Sequence, residues 1–410
     1  MKSDLAAPIS LSRRAVVAGA LSAPFLAKSA AAQGRSFRIG ALSDMSGMVV
    51  DLSGPGTLTS MRIAVEDFGG TVLGLPIEIV QGDHLNKPDT GISLARRWYD
   101  DGVNAIFDVG ITSVALGVQE LAKDKNKAVI FISSSSADLT GKKCGPNGIH
   151  WNHNSHSQAI GVVKAAIKAG GDSWFFLTVD YAYGHTVQND TTAMIQAAGG
   201  KVVGAAKHGF ETTDFSSDLL KAQTSGAKVV ALATTSVHVP NVVKQADEFG
   251  LRPKQMLAPL SMTLHDVKAM GLQTAQGLLE TSTYYWDQND ESRAFAKRFF
   301  ERFKRMPNMI QASAYGATLH YLNAVKAVGR EDTGAIIAHM KATPVNDFMS
   351  KNARIRADGQ VMRDQIILQV KTPSESKGEW DLYRVVGSLP AAESFAPADP
   401  AVCSLVKSAG

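Results

Sequence analysis

The chain predicts an α/β protein made of two doubly wound parallel-sheet units, and three observations point there. Short apolar runs alternate with longer amphipathic ones over most of the sequence. The alternation breaks once, near residues 141–156, and then restarts in the same manner. The third is length, since about 380 residues remain once a leader is set aside, more than one core usually serves.

Taken in order, Phe37–Leu42, Ile77–Val80, Ala105–Val109 and Val129–Ile132 read as buried parallel strands. Between them, Leu58–Phe68, Ile92–Tyr99 and Val114–Lys123 carry apolar residues at helical spacing. Gly141–His156, rich in Gly, Pro, Asn and His, forms the break. Strands follow at Trp174–Val179, Lys201–Ala205, Val229–Ala233 and Met256–Ala258. Helices are expected near Ile160–Ala169, Val187–Ala198, Phe215–Thr224 and Val239–Phe249. The third section differs: Glu291–Lys304, Ile310–Val328 and Gly334–Met340 are helical patterns with no strand between them. Ile366–Val370 and Trp380–Val386, separated by a Pro/Ser/Gly turn, then read as a hairpin. Helices and a hairpin placed after two α/β units predict that the chain crosses back to complete both, and several crossings would make a hinge.

The N-terminal segment has the layout of a cleavable export signal. Ser12-Arg13-Arg14 precedes an apolar stretch from Ala15 to Ala27, too short to span a bilayer, and Ala30-Ala31-Ala32-Gln33 supplies the small residues of a cleavage site. The arginine pair and Lys28 suggest the twin-arginine route, with Val16-Val17 where bulkier residues are usual; the general secretion pathway is the alternative. Residues 1–32 hold Lys2, Arg13, Arg14 and Lys28 against Asp4, +3 of the formal +4, so the mature chain is near neutral. No basic tract then remains for nucleic acid or an anionic membrane surface, and no later apolar run is long enough to cross a membrane.

Two cysteines in an oxidising compartment could pair. Cys144 sits in a Gly/Pro-rich loop and Cys403 in a short tail at 391–410, so a bridge would tie the tail down. Two buried or free thiols are the other reading, because spacing alone does not supply the geometry.

Enzyme signatures are missing. After the first strand the chain runs from Ser43 to Gly56 without G-x-G-x-x-G spacing, and neither a G-x-x-x-x-G-K-[ST] loop nor a G-x-S-x-G elbow occurs. No cofactor is expected. His150, His153 and His156 recur every third residue near Cys144, but no H-E-x-x-H or paired C-x-x-C accompanies them, so they read as polar hinge residues rather than a metal site.

Hydroxyl groups occupy the places where a doubly wound fold presents ligands, the carboxyl ends of its strands. Thr112 and Ser113 follow the Ala105–Val109 strand just before a helix, and Ser134, Ser135 and Ser136 follow Val129–Ile132. Helix N-terminal amides with hydroxyl donors suit an anion such as a carboxylate. In the second unit the matching loops hold Tyr183, Thr235, Ser236 and Ser261. Two sets of loops facing each other describe a cleft that closes on a small molecule.

Together these residues resemble the periplasmic substrate-binding proteins of ABC transporters, in their branched-chain amino acid (type I) group. The carriers are Arg38-Ile39-Gly40 leading to Met45-Ser46-Gly47, Asp83, Ala95-Arg96-Arg97, Ala137-Asp138-Leu139-Thr140, Asp180-Tyr181-Ala182-Tyr183-Gly184, Asp214-Phe215-Ser216 and Lys244-Gln245-Ala246. The resemblance implies two lobes joined by three crossovers, one of residues 36–154 and 284–358, the other of 155–283 and 359–390. It implies a ligand carboxylate against Thr112 or Ser113 and against Ser134–Ser136, with Tyr183 closing the other side. It also implies an inner-membrane permease with cytoplasmic ATPases as partners, a monomer, and no bond made or broken.

The chain departs from the family at one place. The amino acid binders put an acidic side chain after the strand ending near Ala258; here Leu260 and Ser261 stand there. A buried ammonium without a counter-charge is costly. Ser53 also occupies a tyrosine position of the first loop. These departures predict a carboxylate with an apolar or aromatic body, as in the similar subgroup that takes up aromatic acids. Branched-chain amino acids are the alternative ligand, a ligand sensor the alternative role, and an exported enzyme the third.

Overall fold

The computed structural model describes residues 34–252 and 254–407; the leader expected over 1–32 lies outside them. The chain opens with strand β1 (Phe37–Ser43), helix α1 (Gly54–Phe68), a short antiparallel pair of β2 (Thr71–Val72) and β3 (Leu75–Asp83), and α2 (Pro88–Asp100). It continues through β4 (Ala105–Asp108), α3 (Thr112–Asp124), β5 (Ala128–Phe131) and β6 (Gly148–His150). These strands form one sheet in the order β2-β3-β1-β4-β5-β6, parallel from β3 to β6. Period-two alternation sends Phe37, Ile39 and Phe107 to one face and Leu42, Ile106 and Val129 to the other, and each face meets its own helices.

The second lobe comprises α4 (Ser155–Lys168), β7 (Ser173–Val179), α5 (Ala182–Ala197), β8 (Lys201–His208), α6 (Ser216–Thr224), β9 (Val229–Ala233), α7 (Val239–Glu248), β10 (Met256–Pro259), α8 (Leu264–Met270) and α9 (Leu272–Ala275). Its parallel strands run β10-β9-β7-β8. Beside it lies an antiparallel sheet of β11 (Leu279–Ser282) with two strands from the end of the chain. Before those come α10 (Asp290–Phe303), α11 (Met309–Val328) and α12 (Thr333–Ala342), which pack back on the first sheet, and a small pair, β12 (Arg354–Ile355) and β13 (Val361–Met362). The closing hairpin is β14 (Gln365–Val370) and β15 (Tyr383–Leu389), with β14 central against β11. A short helix α13 (Ala391–Ser394) follows, and Cys403 is bonded to Cys144 in a disulfide.

Five strands escape the sequence pattern, the two-residue β2, β12 and β13 and two longer ones. Gly148–His150 falls in the segment read as a break, because a three-residue edge strand of Gly, Ile and His carries no apolar run. Leu279–Ser282 is hidden by Glu280, Thr281 and Ser282, polar residues that are nevertheless buried. The second hairpin strand starts at Tyr383, not Trp380. Trp380 precedes the pairing, and its carbonyl accepts a hydrogen bond from the Trp286 indole at 2.9 Å.

The chain passes between lobes at Trp151–Asn154, after β11 and around β13, and side chains lash the three passages together. Gln360 Nε2 donates to the Asn152 carbonyl at 2.9 Å, and Asn154 Nδ2 donates to Gln360 Oε1 at 3.2 Å. Thr283 Oγ1 donates to Asn152 Oδ1 at 3.0 Å. Three adjacent strands of chain, each short, make a hinge about one axis.

Glu280 makes stability depend on pH. Burial pushes its carboxyl up to about 8, although the Tyr383 hydroxyl donates to it. Between its ordinary value near 4.5 and about 8 the folded chain holds a proton that the unfolded chain has released. Stability from this group is therefore complete below that window and is lost as pH rises through it. Glu280→Gln, neutral at every pH, is expected to raise the unfolding free energy at pH 8 by roughly 1–3 kcal/mol relative to wild type, with the gain vanishing near pH 4.5. Chemical denaturation at both values checks it; a gain that is the same at both pH values contradicts the protonation account.

Candidate ligand-binding site

Six strand ends converge on one small cavity of about 50 Å³. From the first lobe come the loop after β1, the Gly110–Thr112 segment after β4 and the serine loop after β5. From the second come the segments after β7, β9 and β10. That is where a parallel α/β sheet offers its ligand site, because strand direction and helix N-termini point the same way there. Two wider hollows, of about 860 and 640 Å³, flank the 345–352 loop. They are surface grooves that touch none of these strand ends, so the smaller cavity is the candidate.

The loop after β1 is held by one carboxylate. Asp44 accepts from the Gly47 and Val49 amides at 2.6 and 2.9 Å and from Asn86 Nδ2 at 2.9 Å. This curl brings Val49, Leu52 and Ser53 to the cavity wall. After β4 the backbone turns through the left-handed region at two consecutive non-glycine residues, Asp108 (φ 83°) and Val109 (φ 54°). For a β-branched valine that is strained, typically by about 1–3 kcal/mol, and such strain persists where the surroundings over-determine it. The Val109 amide donates to the Leu42 carbonyl at 2.8 Å and the Ile132 amide to the Asp108 carbonyl at 3.1 Å, so both neighbouring strands fix the turn.

No side chain caps α3, leaving its first amides for partners beyond the helix. The Ser113 amide donates across the cleft to Tyr181 Oη at 3.3 Å, a contact between lobes. The serine loop rests on the buried histidines of the crossing. His153 Nε2 lies 2.9 Å from Ser135 Oγ, and His150 Nε2 lies 2.8 Å from the Ser134 carbonyl. Burial depresses His153 to about 3 and His150 to about 4, so both are neutral near pH 7. Among the described residues no His, Cys, Asp or Glu group is placed to hold a metal ion.

On the second-lobe side, the Tyr183 hydroxyl donates to Gln158 Oε1 at 3.3 Å, and burial pushes its phenol up to about 12. His238 Nδ1 sits 2.7 Å from Thr235 Oγ1 and 2.8 Å from Thr234 Oγ1, while Nε2 faces the Phe210 carbonyl at 2.8 Å. The nitrogen facing a carbonyl carries the proton, so Nδ1, with its single lone pair, is an acceptor between the two threonine hydroxyls. Burial lowers this histidine to about 4.

Ser53, Thr112, Ser135, Tyr183, Thr235, Ser236 and Ser261 all reach the cavity wall. Ser113, Ser134, Ser136 and Leu260 do not. Ser134 is 1% exposed behind the wall, and Ser136 turns away to accept from the Asp138 amide at the start of a 3-10 turn. Leu260 packs in the second-lobe core. The reason is alternation, since extended chain sends 133 and 135 to one side and 134 and 136 to the other, and likewise separates 260 from 261. The wall also contains Ser133, Tyr181, Ile111 and Gly110, which belong to the same strand-end loops of the sequence but were not among its candidate site residues. Ser133 begins the serine run and Tyr181 begins the tyrosine pair, so period two along each loop would have found both. None of the described lining residues carries a charge at neutral pH.

Comparison with known proteins follows the same lines. The family model described as periplasmic binding protein matches residues 36–379. A periplasmic binding protein from Burkholderia mallei is 40% identical, with a TM-score of 0.86 over 88% of this chain and 96% of that one. A branched chain amino acid ABC transporter periplasmic ligand-binding protein from Burkholderia xenovorans LB400 is 37% identical, with a TM-score of 0.79 over 88% and 97%. A solute binding protein from R. palustris, solved in complex with benzoate, shares the fold at 20% identity, with a TM-score of 0.78 over 90% and 99%.

Proposed function

This chain belongs to the periplasmic binding protein family, the solute receptors of ABC transporters, and from that premise we propose that it captures a small organic carboxylate with an aromatic or other apolar body. Such receptors are not enzymes; they bind a small ligand in the periplasm and work with a membrane permease. The observation that carries the ligand reading is the wall itself, where hydroxyls from both lobes alternate with Val49, Leu52 and Ile111 and no charged side chain intervenes. Hydroxyls and helix amides suit a carboxylate, and the apolar residues and two tyrosines suit a flat or branched body. An α-ammonium would meet no carboxylate on the wall.

We assign the lobes to residues 36–154 with 284–358 and 155–283 with 359–390, moving about the lashed crossings. Closure is driven by the ligand only if it touches both lobes; Thr112 and Ser135 belong to one, Tyr183, Thr235 and Ser261 to the other. The proposal extends to export through the twin-arginine route, to a monomer in solution, and to a permease powered by cytoplasmic ATPases. A branched-chain amino acid is the second reading, supported by the name of the Burkholderia xenovorans relative.

Calorimetric titration of the leaderless protein, unfolded and refolded to strip carried-over ligand, separates the two. Leucine, isoleucine and valine are set against benzoate, 4-hydroxybenzoate and coumarate. Dissociation constants of about 1 μM or tighter, roughly −8 kcal/mol, are expected for aromatic acids. Tight binding of leucine alone overturns the aromatic reading in favour of the second, and silence across both sets overturns the carboxylate reading.

A further inference from the structure

Behind the cavity wall lies a buried carboxylate. Asp108, at the end of the central strand β4 and 0% exposed, reaches both neighbouring strand ends. Ser43 Oγ donates to its Oδ2 at 2.7 Å from β1, and Ser133 Oγ donates to its Oδ1 from the loop after β5. Ser43 is itself a relay: its oxygen accepts from the Gly54 amide at 2.9 Å and lies 2.9 Å from Ser53 Oγ.

Counting protons fixes the polarity of this end of the cavity. A hydroxyl has one proton and two lone pairs. Burial raises the Asp108 carboxyl, and hydrogen bonds from Ser133, Ser43, Thr57 and Ser53 oppose that by favouring its charged form; in that ionised form Ser43 spends its proton on Oδ2, so in the Ser43–Ser53 contact Ser53 is the donor. Ser133 spends its proton on Oδ1. Both wall hydroxyls, Ser53 and Ser133, therefore keep only lone pairs for the cavity. Tyr183 is committed the same way, to Gln158. A ligand group placed against Ser53 and Ser133 must bring its own proton or leave desolvated oxygens unpaired.

We infer that Asp108 is a positioning residue that turns Ser53 and Ser133 into acceptors, so that the cavity selects carboxylates bearing a hydrogen-bond donor, a hydroxyl or an ammonium, for that end. The inference rests on the carboxylate reading above and sharpens it. It divides ligands by one proton donor, not by size or charge. Among aromatic acids it favours the hydroxylated members.

The test is calorimetry on the stripped full-length mature protein with matched pairs: 4-hydroxybenzoate against benzoate, leucine against 4-methylpentanoate, and the uncharged pair 4-hydroxybenzamide against benzamide. In at least one acid pair the donor-bearing member is expected to bind about tenfold or more tightly, as for sites whose buried polar groups are otherwise left unpaired. The aromatic and aliphatic pairs show whether the donor is a hydroxyl or an ammonium. Ser133→Ala, which removes one acceptor together with its hydrogen bond to Asp108, is expected to bring that ratio down severalfold; Asp108→Asn, which frees the Ser133 proton when its amide nitrogen faces that hydroxyl, is expected to do the same if it folds. Binding of both members of each acid pair with ratios near one overturns the inference and leaves the carboxylate reading standing. A preference kept by the amide pair while the acids fail overturns the carboxylate reading and supports the inference. An unchanged ratio in Ser133→Ala, or silence from all pairs, overturns the inference.

Discussion

Replacing both cysteines, as in the C144S/C403S double variant, is expected to cost about 3–5 kcal/mol of unfolding free energy. The Cys144–Cys403 bridge spans 259 residues, so it removes a very long loop from the unfolded ensemble. It also ties down the tail, where Phe395 is buried as well. The Lys164–Glu393 ion pair is half exposed on both sides, and a surface pair of that kind contributes little. Otherwise the tail is held by hydrogen bonds such as Arg356 Nη1 to the Ala396 carbonyl at 2.7 Å. Urea titration of the oxidised, reduced and serine forms checks it, with ligand affinity expected to hold because neither cysteine lines the cavity. A loss below about 0.5 kcal/mol, the size of an ordinary surface change, would show that the tail is secured without the bridge.

Gly184→Ala is the second large effect, and it joins stability to binding. Gly184 sits in the first turn of α5, where a Cβ would lie 2.2 Å from the Val179 carbonyl oxygen and 3.1 Å from that of Ala233. Both obstacles are backbone of buried strands, so the helix must lift instead. Overpacking of this kind costs about 2–3 kcal/mol. The same lift carries Tyr181 and Tyr183 away from the first lobe, so ligand affinity is expected to fall about tenfold, roughly 1.4 kcal/mol. Thermal melting and calorimetry on one preparation read both. A variant that melts normally and binds normally would mean that α5 does not pack this closely on β7.

Much of the fold was legible because buried parallel strands and amphipathic helices advertise themselves by period. Val229–Ala233 is fully buried on both faces and reads as a continuous apolar run. Met309–Val328 shows its helix by spacing, and Asn308 with Gln311 closes a capping box at its start. Leu279–Ser282 was not legible, because its burial depends on Tyr383 and β14, more than eighty residues away. In the site, the hydroxyl-rich loops were visible as composition at strand ends. Which hydroxyl faces the cavity was not, since Ser134 differs from Ser135 only in the side of the chain it occupies.

The sequence by itself determined the two α/β lobes, the strand ends that line the cavity and the hydroxyl character of the wall. Each follows from residue type and local period, which act over a few residues. Tertiary structure alone decided what those hydroxyls can do. Ser43, Asp108 and Ser133 are 65 and 25 residues apart in the chain and become partners only because the sheet order sets β4 between β1 and β5. Strand order comes from how helices cover both faces of the sheet, a property of the whole lobe, and it places the Ser43 and Ser133 hydroxyls on the Asp108 carboxylate.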